Sequence, residues 1–307
     1  MIPNLLLRNS GSMPDRNLCF TNAAIQILRN VPSFKTKVSE HNSGIHGDLQ
    51  RILEFEGLNQ TVSAHSLRVF IADITGREEL KNGQQNDALE FCEYILQNLD
   101  SSIRSLFKFK SKTSFNFWMN NRPSNCNHCG RPPREVNDEH IVLKLSFPEE
   151  DRLHLYQHGI AFQALLNQYF ELKEQADTLS CGNCCTHNSS SEHGPKCKPK
   201  PFVTREHITQ HPKFLIVQLL RFKQTQPDNI QKIDTKVTNV QSFSIQDQSG
   251  KKTEYELISI LNHEGGYFNG HYTALLKSDR WYLCNDIKKS VLSDDEVESN
   301  KNYAYIF

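Results

Sequence analysis

This sequence of 307 residues lacks net charge, long apolar runs and internal repeats. Lysine and arginine together number 35, as do aspartate and glutamate, so no overall charge attracts nucleic acid or a membrane surface. The apolar run Leu5–Leu7 is too short for the core of a signal peptide or for a membrane span, and no later run is long enough. These absences predict an ordinary soluble protein of the cytoplasm or nucleus, with neither nucleic acid nor a membrane as a partner.

Cysteine, in contrast, is plentiful, since the chain has nine. In a reducing compartment, cysteines serve as free thiols and metal ligands and rarely form disulfides. The length suits about two average domains, or one large fold with an insertion, and is ample for a sizeable core. Because only 37% of the residues are hydrophobic, we also expect long polar loops.

The two ends of the chain carry the residues that thiol chemistry requires. Cys19 opens a run with helical spacing, and a thiolate at a helix N-terminus is stabilised by the helix dipole. His271 follows Gly270 in a glycine-rich turn that leads into an alternating strand, and Asn285 ends the word Trp-Tyr-Leu-Cys-Asn. In thiol catalysis an imidazole keeps the thiolate ionised, and a side-chain carbonyl fixes its tautomer. The plain alternative is a buried core cysteine and an unrelated surface histidine.

Two C-x-x-C pairs form the second chemical signal: Cys126 with Cys129, and Cys181 with Cys184. A tight turn in each pair brings two thiolates together, so both pairs can share one tetrahedral zinc ion. A redox C-x-x-C is the rival interpretation, but it needs a single motif beside a βαβ pattern. Four thiolates would close the zinc shell, which argues against a zinc-dependent hydrolase. Cys185, Cys197, His187 and His193 are spare ligands in or beside a polar stretch, predicted to be a flexible loop.

Four separated blocks give the chain a specific resemblance. They are Asn17-Leu18-Cys19-Phe20 with the run that follows, Gln84-Gln85-Asn86-Asp87-Ala88-Leu89-Glu90-Phe91, the segment 211–222, and the segment from Tyr255 through His271 and Asn285 to Tyr305. In this order they resemble the ubiquitin-specific proteases, which are papain-like cysteine deubiquitinases. The blocks span nearly the whole chain.

The resemblance implies an α+β papain-like fold in a single catalytic domain, 1–307. A helical thumb would occupy 1–110, a zinc-tipped fingers insertion 111–205, and a β-rich palm 206–307. Periodicity within these regions predicts helices over 84–99 and 162–173, and strands over 139–147 and 214–220. Cys92 and Cys284 fall at inward positions of such elements and are predicted to be core.

The resemblance also assigns roles to individual residues. Cys19 would form the acyl-enzyme with ubiquitin, His271 would act as base and then acid, and Asn285 would orient His271. Asp286 is either a helper or a surface charge. Gln85 and Asp87 either cap a helix or line the channel for the ubiquitin tail. The remaining expected substrate contacts are His263, Gly270 and Tyr272.

One departure from the family pattern concerns Pro14. Family members carry an asparagine five residues before the nucleophile to stabilise the oxyanion, and proline offers no donor there. The Cys19 amide and the Asn17 side chain remain as donors. The expected partners are ubiquitin and ubiquitinated proteins, acted on by a monomer. Two alternatives stay open: a protease for a ubiquitin-like modifier, and a weak or inactive ubiquitin-binding scaffold.

Overall fold

A computed structural model describes residues 5–41, 44–55, 60–149, 156–185, 198–227 and 229–307; the side chains of Cys184, Cys185 and Asn302 lie outside the description. The helices are α1 Cys19–Arg29, α2 Phe34–Ser39, α3 Ile45–Leu53, α4 His65–Thr75, α5 Glu78–Lys81, α6 Ala88–Asn98, α7 Ser101–Arg104, α8 Phe162–Phe170, α9 Gly182–Cys185 and α10 Asp294–Asn302. The strands are β1 Phe109–Met119, β2 Arg122–Ser124, β3 Arg134–His140, β4 Val142–Ser146, β5 Ile160–Ala161, β6 Lys173–Leu179, β7 Lys200–Gln210, β8 Ile216–Leu220, β9 Phe222–Gln226, β10 Asn229–Lys232, β11 Val237–Thr238, β12 Ser242–Gln246, β13 Lys252–Glu256, β14 Ser259–Gly265, β15 Gly270–Lys277, β16 Trp281–Asn285 and β17 Lys288–Val291.

Helix α1 is the central helix of the molecule. Every residue from Cys19 to Leu28 is buried, as expected of a helix that is covered on all sides. It contacts α6 of the helical layer and β15 of the β-rich layer. On the α6 side the Phe20 and Phe91 rings meet edge to face, 5.4 Å apart. Cys19 therefore lies where the helical and β-rich layers meet.

The helix predicted over 84–99 begins later, at Ala88, and ends at Asn98. The Asp87 carboxylate accepts hydrogen bonds from the backbone amides of Leu89 and Glu90, so Asp87 is the N-cap. Residues 84–86 precede the helix as an extended segment along the cleft.

A long antiparallel sheet corresponds to the predicted fingers. Its strand order is β2-β1-β7-β6, with β3 also paired to β1. Its distal end has a small hydrophobic cluster in which Phe117, Cys126 and Cys181 are buried. By contrast, β4 and α8 fall within 111–205 but pack into the palm core with β8.

The strand predicted over 139–147 is two strands. β3 ends at His140 in the fingers sheet, whereas β4 begins at Val142 and pairs in parallel with β8 in the palm. One alternating run thus serves two sheets, because the chain changes partner at Ile141. Similarly, α8 ends at Phe170, before the predicted Lys173, which already begins β6. The predicted strand 214–220 is observed from Ile216.

The palm contains an antiparallel sheet of order β14-β15-β16-β17. Ile306, near the C-terminus, forms bridges to Gln218 on β8 and to Leu261 on β14, and so joins the parallel β4–β8 pair to this sheet. Among the described residues, no helix is long and apolar enough to span a bilayer.

Candidate active site

Cys19 is the first residue of α1 and is only 3% exposed. Its neighbour Leu18 is the N-cap, and no side chain caps the helix there by accepting a hydrogen bond from its first turn. Because the first amides of a helix have no intrahelical acceptor, they stabilise negative charge at this position. The thiol therefore lies at the positive end of the helix dipole.

His271 lies on β15 between Cys19 and Asn285. Its Nε2 atom is 2.8 Å from Oδ1 of Asn285. Hydrogen bonding to Cys19 raises the pKa of His271 to about 9 against the effect of burial, with further support from Asn285 and Asp286. At neutral pH the ring therefore favours the imidazolium form. These three side chains, predicted from distant parts of the sequence, are brought together.

Asp286 is held close to the histidine. Its Oδ2 is 3.9 Å from His271 Nε2, and its side chain is 13% exposed. Nδ2 of Asn9 donates to Oδ2 at 2.8 Å, and Nδ2 of Asn22 donates to Oδ1 at 2.7 Å. A positive φ of 50° at Asp286 turns the chain directly after Asn285. Of the two roles left open for Asp286, this geometry favours the helper.

Asn9 is a site residue that the sequence analysis missed. Its Oδ1 accepts a hydrogen bond of 2.8 Å from the Leu18 amide, directly before the nucleophile. The intervening chain makes a closed excursion, since Ser10 bridges to Arg16 and the Ser10 amide donates to Asp15 O at 2.8 Å. Counting positions back from Cys19 reaches Pro14 inside this excursion. An asparagine before a Gly-, Ser- and Pro-containing stretch was the available signal.

Asn17 and Pro14 both form hydrogen bonds that hold the excursion, residues 10–16, and the chain directly after it. Nδ2 of Asn17 donates to Gly83 O at 2.9 Å, so one of its two amide hydrogens is engaged away from Cys19. The Pro14 carbonyl accepts a 3.0 Å hydrogen bond from the buried guanidinium of Arg68, which also donates to Arg16 O at 2.6 Å. Arg68 therefore fixes the backbone that leads into the nucleophile.

The predicted substrate contacts converge on one cleft between the thumb and the palm. A cavity of about 360 Å³ there is lined by Gln85, Asp87, His263 and Tyr272, among others. A second, largely apolar cavity of about 220 Å³ lies at the C-terminal end of α1, where Leu28 is part of its wall. That end of the helix is opposite to Cys19, whereas the first cavity is lined by four of the predicted substrate contacts and is therefore the candidate channel.

His263 is not a second base. Burial, followed by the charge of Lys232, lowers the pKa of His263 to about 4, so the ring is neutral at physiological pH. The ring packs against Tyr272 in a tilted arrangement, with centroids 4.5 Å apart and the ring planes at 41°. Its Nε2 would be 2.2 Å from a Cβ atom at Gly270, so only glycine fits beside it. His263, on β14, thus packs against Gly270, the first residue of the strand that carries His271.

The remaining cysteines of the palm and thumb are unreactive. Burial raises the pKa of the Cys92 thiol well above its usual range, and burial raises that of Cys284 to about 11. Both side chains are buried, as predicted for core residues.

At the end of the fingers, three sulfur atoms form a cluster. Sγ of Cys126, Cys129 and Cys181 all lie within 4.8 Å of one another. The two knuckles are tied together, since the Gly182 amide donates to Pro133 O at 2.9 Å. The donor set, thiols from two tight turns, suits a soft ion that prefers tetrahedral coordination. The cluster can hold a metal ion. The predicted fourth ligand, the side chain of Cys184, and the spare ligands His187, His193 and Cys197 lie outside the described residues.

Comparison with known proteins connects this geometry to a family. A profile of the ubiquitin carboxyl-terminal hydrolase family matches residues 10–307. Ubiquitin carboxyl-terminal hydrolase Usp2 of Drosophila melanogaster is 25% identical, over 98% of this chain and 34% of the relative. Ubiquitin carboxyl-terminal hydrolase 25 of Arabidopsis thaliana is 24% identical, over 99% of this chain and 47% of the relative. The chain thus spans between a third and a half of the length of these curated relatives.

Among solved structures, the fold matches a chain of the SAGA DUB module Ubp8/Sgf11/Sus1/Sgf73. In the complex with monoubiquitin the TM-score is 0.72 at 19% identity, covering 99% of this chain and 68% of that one. In the complex with ubiquitin aldehyde the TM-score is 0.73 at 20% identity, covering 100% and 70%. The predicted α+β papain-like fold is confirmed. Its match to the family profile over nearly its whole length shows that the chain belongs to the ubiquitin carboxyl-terminal hydrolase family, as a ubiquitin-specific protease.

Proposed function

We propose that this chain is a deubiquitinating cysteine hydrolase that cleaves the isopeptide or peptide bond after the C-terminal glycine of ubiquitin. The observation that carries the proposal is the alignment of Cys19, His271 and Asn285 in the free protein. The family membership and the ubiquitin-bound structural neighbours support ubiquitin as the modifier.

In the proposed reaction, the Cys19 thiolate attacks the carbonyl carbon of the terminal glycine. His271 then gives its proton to the leaving amine, the C–N bond breaks, and a thioester remains on Cys19. His271, now neutral, takes a proton from water as the water oxygen attacks the thioester carbonyl carbon. The C–S bond then breaks, which frees Cys19 as a thiolate and releases the ubiquitin C-terminus as a carboxylic acid that gives its proton to solvent. Asn285 keeps the imidazole oriented through its 2.8 Å contact with Nε2.

The oxyanion needs donors, and Asn9 supplies the side-chain amide that Pro14 lacks. Its side chain lies at the start of α1, where it accepts from the Leu18 amide and donates to Asp286. A second amide hydrogen on the same nitrogen remains to serve, with the Cys19 backbone amide, as an oxyanion donor. Asn9 therefore supports an active enzyme over the inactive scaffold that Pro14 suggested.

The fingers cluster would hold a structural zinc ion. Cys126, Cys129 and Cys181 supply three thiolates, and Cys184 is proposed as the fourth. A closed four-thiolate shell leaves no position for a catalytic water, so the ion would tie the two knuckles together. That role fits the small hydrophobic cluster of this region.

The proposal is tested with ubiquitin that carries a thiol-reactive group at its C-terminus, read by intact mass. We expect one covalent adduct on the wild-type chain and none on Cys19→Ala, while Cys92→Ala reacts as the matched control. A probe built on a ubiquitin-like modifier runs alongside. Preferential reaction with that probe would mean that the substrate is a ubiquitin-like modifier and not ubiquitin. No adduct with either probe would mean that the chain is an inactive binding scaffold.

A further inference from the structure

The residues on both sides of the catalytic base are bonded to one segment of the thumb. The backbone amide of Gly270 donates to Oε1 of Gln85 at 2.8 Å. The Tyr272 hydroxyl lies 3.5 Å from Oδ2 of Asp87, in donor position. His271 stands between these two attachments on β15.

The Asp87 carboxylate already has four donors. Its Oδ1 accepts from the amides of Leu89 at 2.8 Å and Glu90 at 2.9 Å. Its Oδ2 is shared by the hydroxyls of Tyr272 and Tyr305. Since a carboxylate offers about four acceptor sites, none remains for a substrate amide in this arrangement.

A chain of hydrogen bonds continues into the palm. Nε2 of Gln218, on β8, donates to the Tyr305 hydroxyl at 2.8 Å, so that this hydroxyl gives its own hydrogen to Asp87. The side chains of Gln218 and both tyrosines are buried or nearly so. Asp87 on the thumb is therefore connected to two separate elements of the palm.

We propose that Gln85 and Asp87 are positioning residues: they clamp β15 to the thumb and so hold His271 against Cys19 before substrate binds. The clamp rests on the proposed function for its nucleophile and base. It gives these residues a role in aligning the free enzyme, in addition to their place in the lining of the candidate channel.

The two attachments differ in strength. Tyr272 and Tyr305 are buried, and a buried hydroxyl that loses its acceptor is costly. The Gln85 attachment is exposed to water, which competes for the same groups. The Asp87 half therefore contributes more to the clamp.

The substitution Asp87→Asn keeps the helix-capping hydrogen bonds of this residue and removes its hydrogen bonds to the two tyrosines. Asparagine caps a helix as well as aspartate does, because its Oδ1 still accepts from the amides. Its NH₂ group, however, faces the two tyrosine hydroxyls with donors, so those hydroxyls lose their acceptor. Asp100→Asn is the matched control, since Asp100 caps α7 by accepting from the Ser102 amide at 2.7 Å, away from the cleft.

For the weaker half, Gln85→Leu removes the acceptor of the Gly270 amide. Gln85→Glu keeps an oxygen there and is the conservative rescue. Tyr305→Phe removes one hydroxyl of the Asp87 half without touching the helix cap, and serves where Asp87→Asn fails to fold.

The measurement is the rate of Cys19 alkylation by iodoacetamide between pH 5 and pH 10, without ubiquitin, with the modified residue located by peptide mass. We expect Asp87→Asn to lower the rate at neutral pH by about tenfold and to move the profile toward that of an unpaired thiol. The loss in Gln85→Leu should be smaller and recovered by Gln85→Glu. The melting temperature of Asp87→Asn should fall below that of Asp100→Asn, because two buried hydroxyls lose their acceptor, so alkylation is measured well below the melting temperature of each variant.

An unchanged alkylation profile, combined with a raised KM for a ubiquitin substrate, would overturn the clamp and make both residues substrate contacts. The two proposals fail separately. If the wild-type chain ignores the ubiquitin probe while Asp87→Asn still alters alkylation, the proposed function falls and the clamp stands.

Discussion

The cleft and the fingertip hold cysteines in opposite ways. Around Cys19 a large buried core and crossing hydrogen bonds fix one thiol beside His271. At the fingertip, among the residues that the structure describes, the buried cluster consists of Phe117 and two cysteines, with a third sulfur beside them. Packing can position a reactive group where two layers meet, whereas a thin sheet end has too little apolar surface to hold itself and needs cross-links.

Removing the base should have the largest effect on the cleft. We expect His271→Ala to lower turnover by about ten-thousandfold, because both ionisation of Cys19 and protonation of the leaving amine are lost. The turnover rate is measured by steady-state hydrolysis of a ubiquitin–fluorophore conjugate. His263→Ala is the comparison variant, and an equal loss of kcat in both variants would contradict the assignment of His271 as the single catalytic base.

Removing a cysteine of the fingertip cluster should change the metal content and the stability of the protein, but not the reactivity of Cys19. Cys181→Ser is expected to remove zinc from the purified chain and to lower the melting temperature, because a structural site contributes its binding energy to folding. Elemental analysis and calorimetry measure these changes. The alkylation rate of Cys19 should stay close to that of wild type.

Cys92→Ala is the control, since it truncates a buried cysteine without touching the cluster. Unchanged zinc content in Cys181→Ser would show that this thiol is not a ligand.

Asn9 and Pro14 offer a sharper comparison within the cleft. Asn9→Ala should reduce kcat by about a hundredfold, the usual effect of losing an oxyanion donor. Pro14→Ala should change kcat little, since the Pro14 carbonyl, which Arg68 binds, is retained. Single-turnover rates with the ubiquitin conjugate distinguish them. A larger loss in Pro14→Ala would place the important geometry in the excursion instead.

The sequence was sufficient for the family, the papain-like fold and the distant residues that meet in the cleft, because short motifs carry both chemistry and local structure. It failed where a position depends on tertiary partners. Nothing in the alternation around Ile141 says that β3 and β4 join different sheets. Asn9 reaches α1 only because residues 10–16 close on themselves, which a count of positions cannot reveal. The contacts of Asp286 depend on a turn with positive φ and on two asparagine donors, which its place next to Asn285 in the sequence does not predict.

The smallest expected effect concerns the pH dependence of stability. The pKa of His271 is raised to about 9 in the folded protein, chiefly by hydrogen bonding to Cys19. A raised pKa means that the folded state binds the proton more tightly than the unfolded state, where histidine titrates near its reference value of about 6.5. The resulting stabilisation is complete below about pH 6.5 and is lost as the pH rises through about 9.

Urea unfolding of wild type and His271→Gln should therefore give a difference that shrinks between these two pH values. The side chain is 37% exposed, so solvent screening keeps the effect modest. In Cys19→Ala the hydrogen bond between Cys19 and His271 is lost, and the shrinking difference should be much weaker. A difference that instead grew with pH would mean that the neutral imidazole is the form the folded cleft prefers, and the thiolate–imidazolium pair would have to be abandoned.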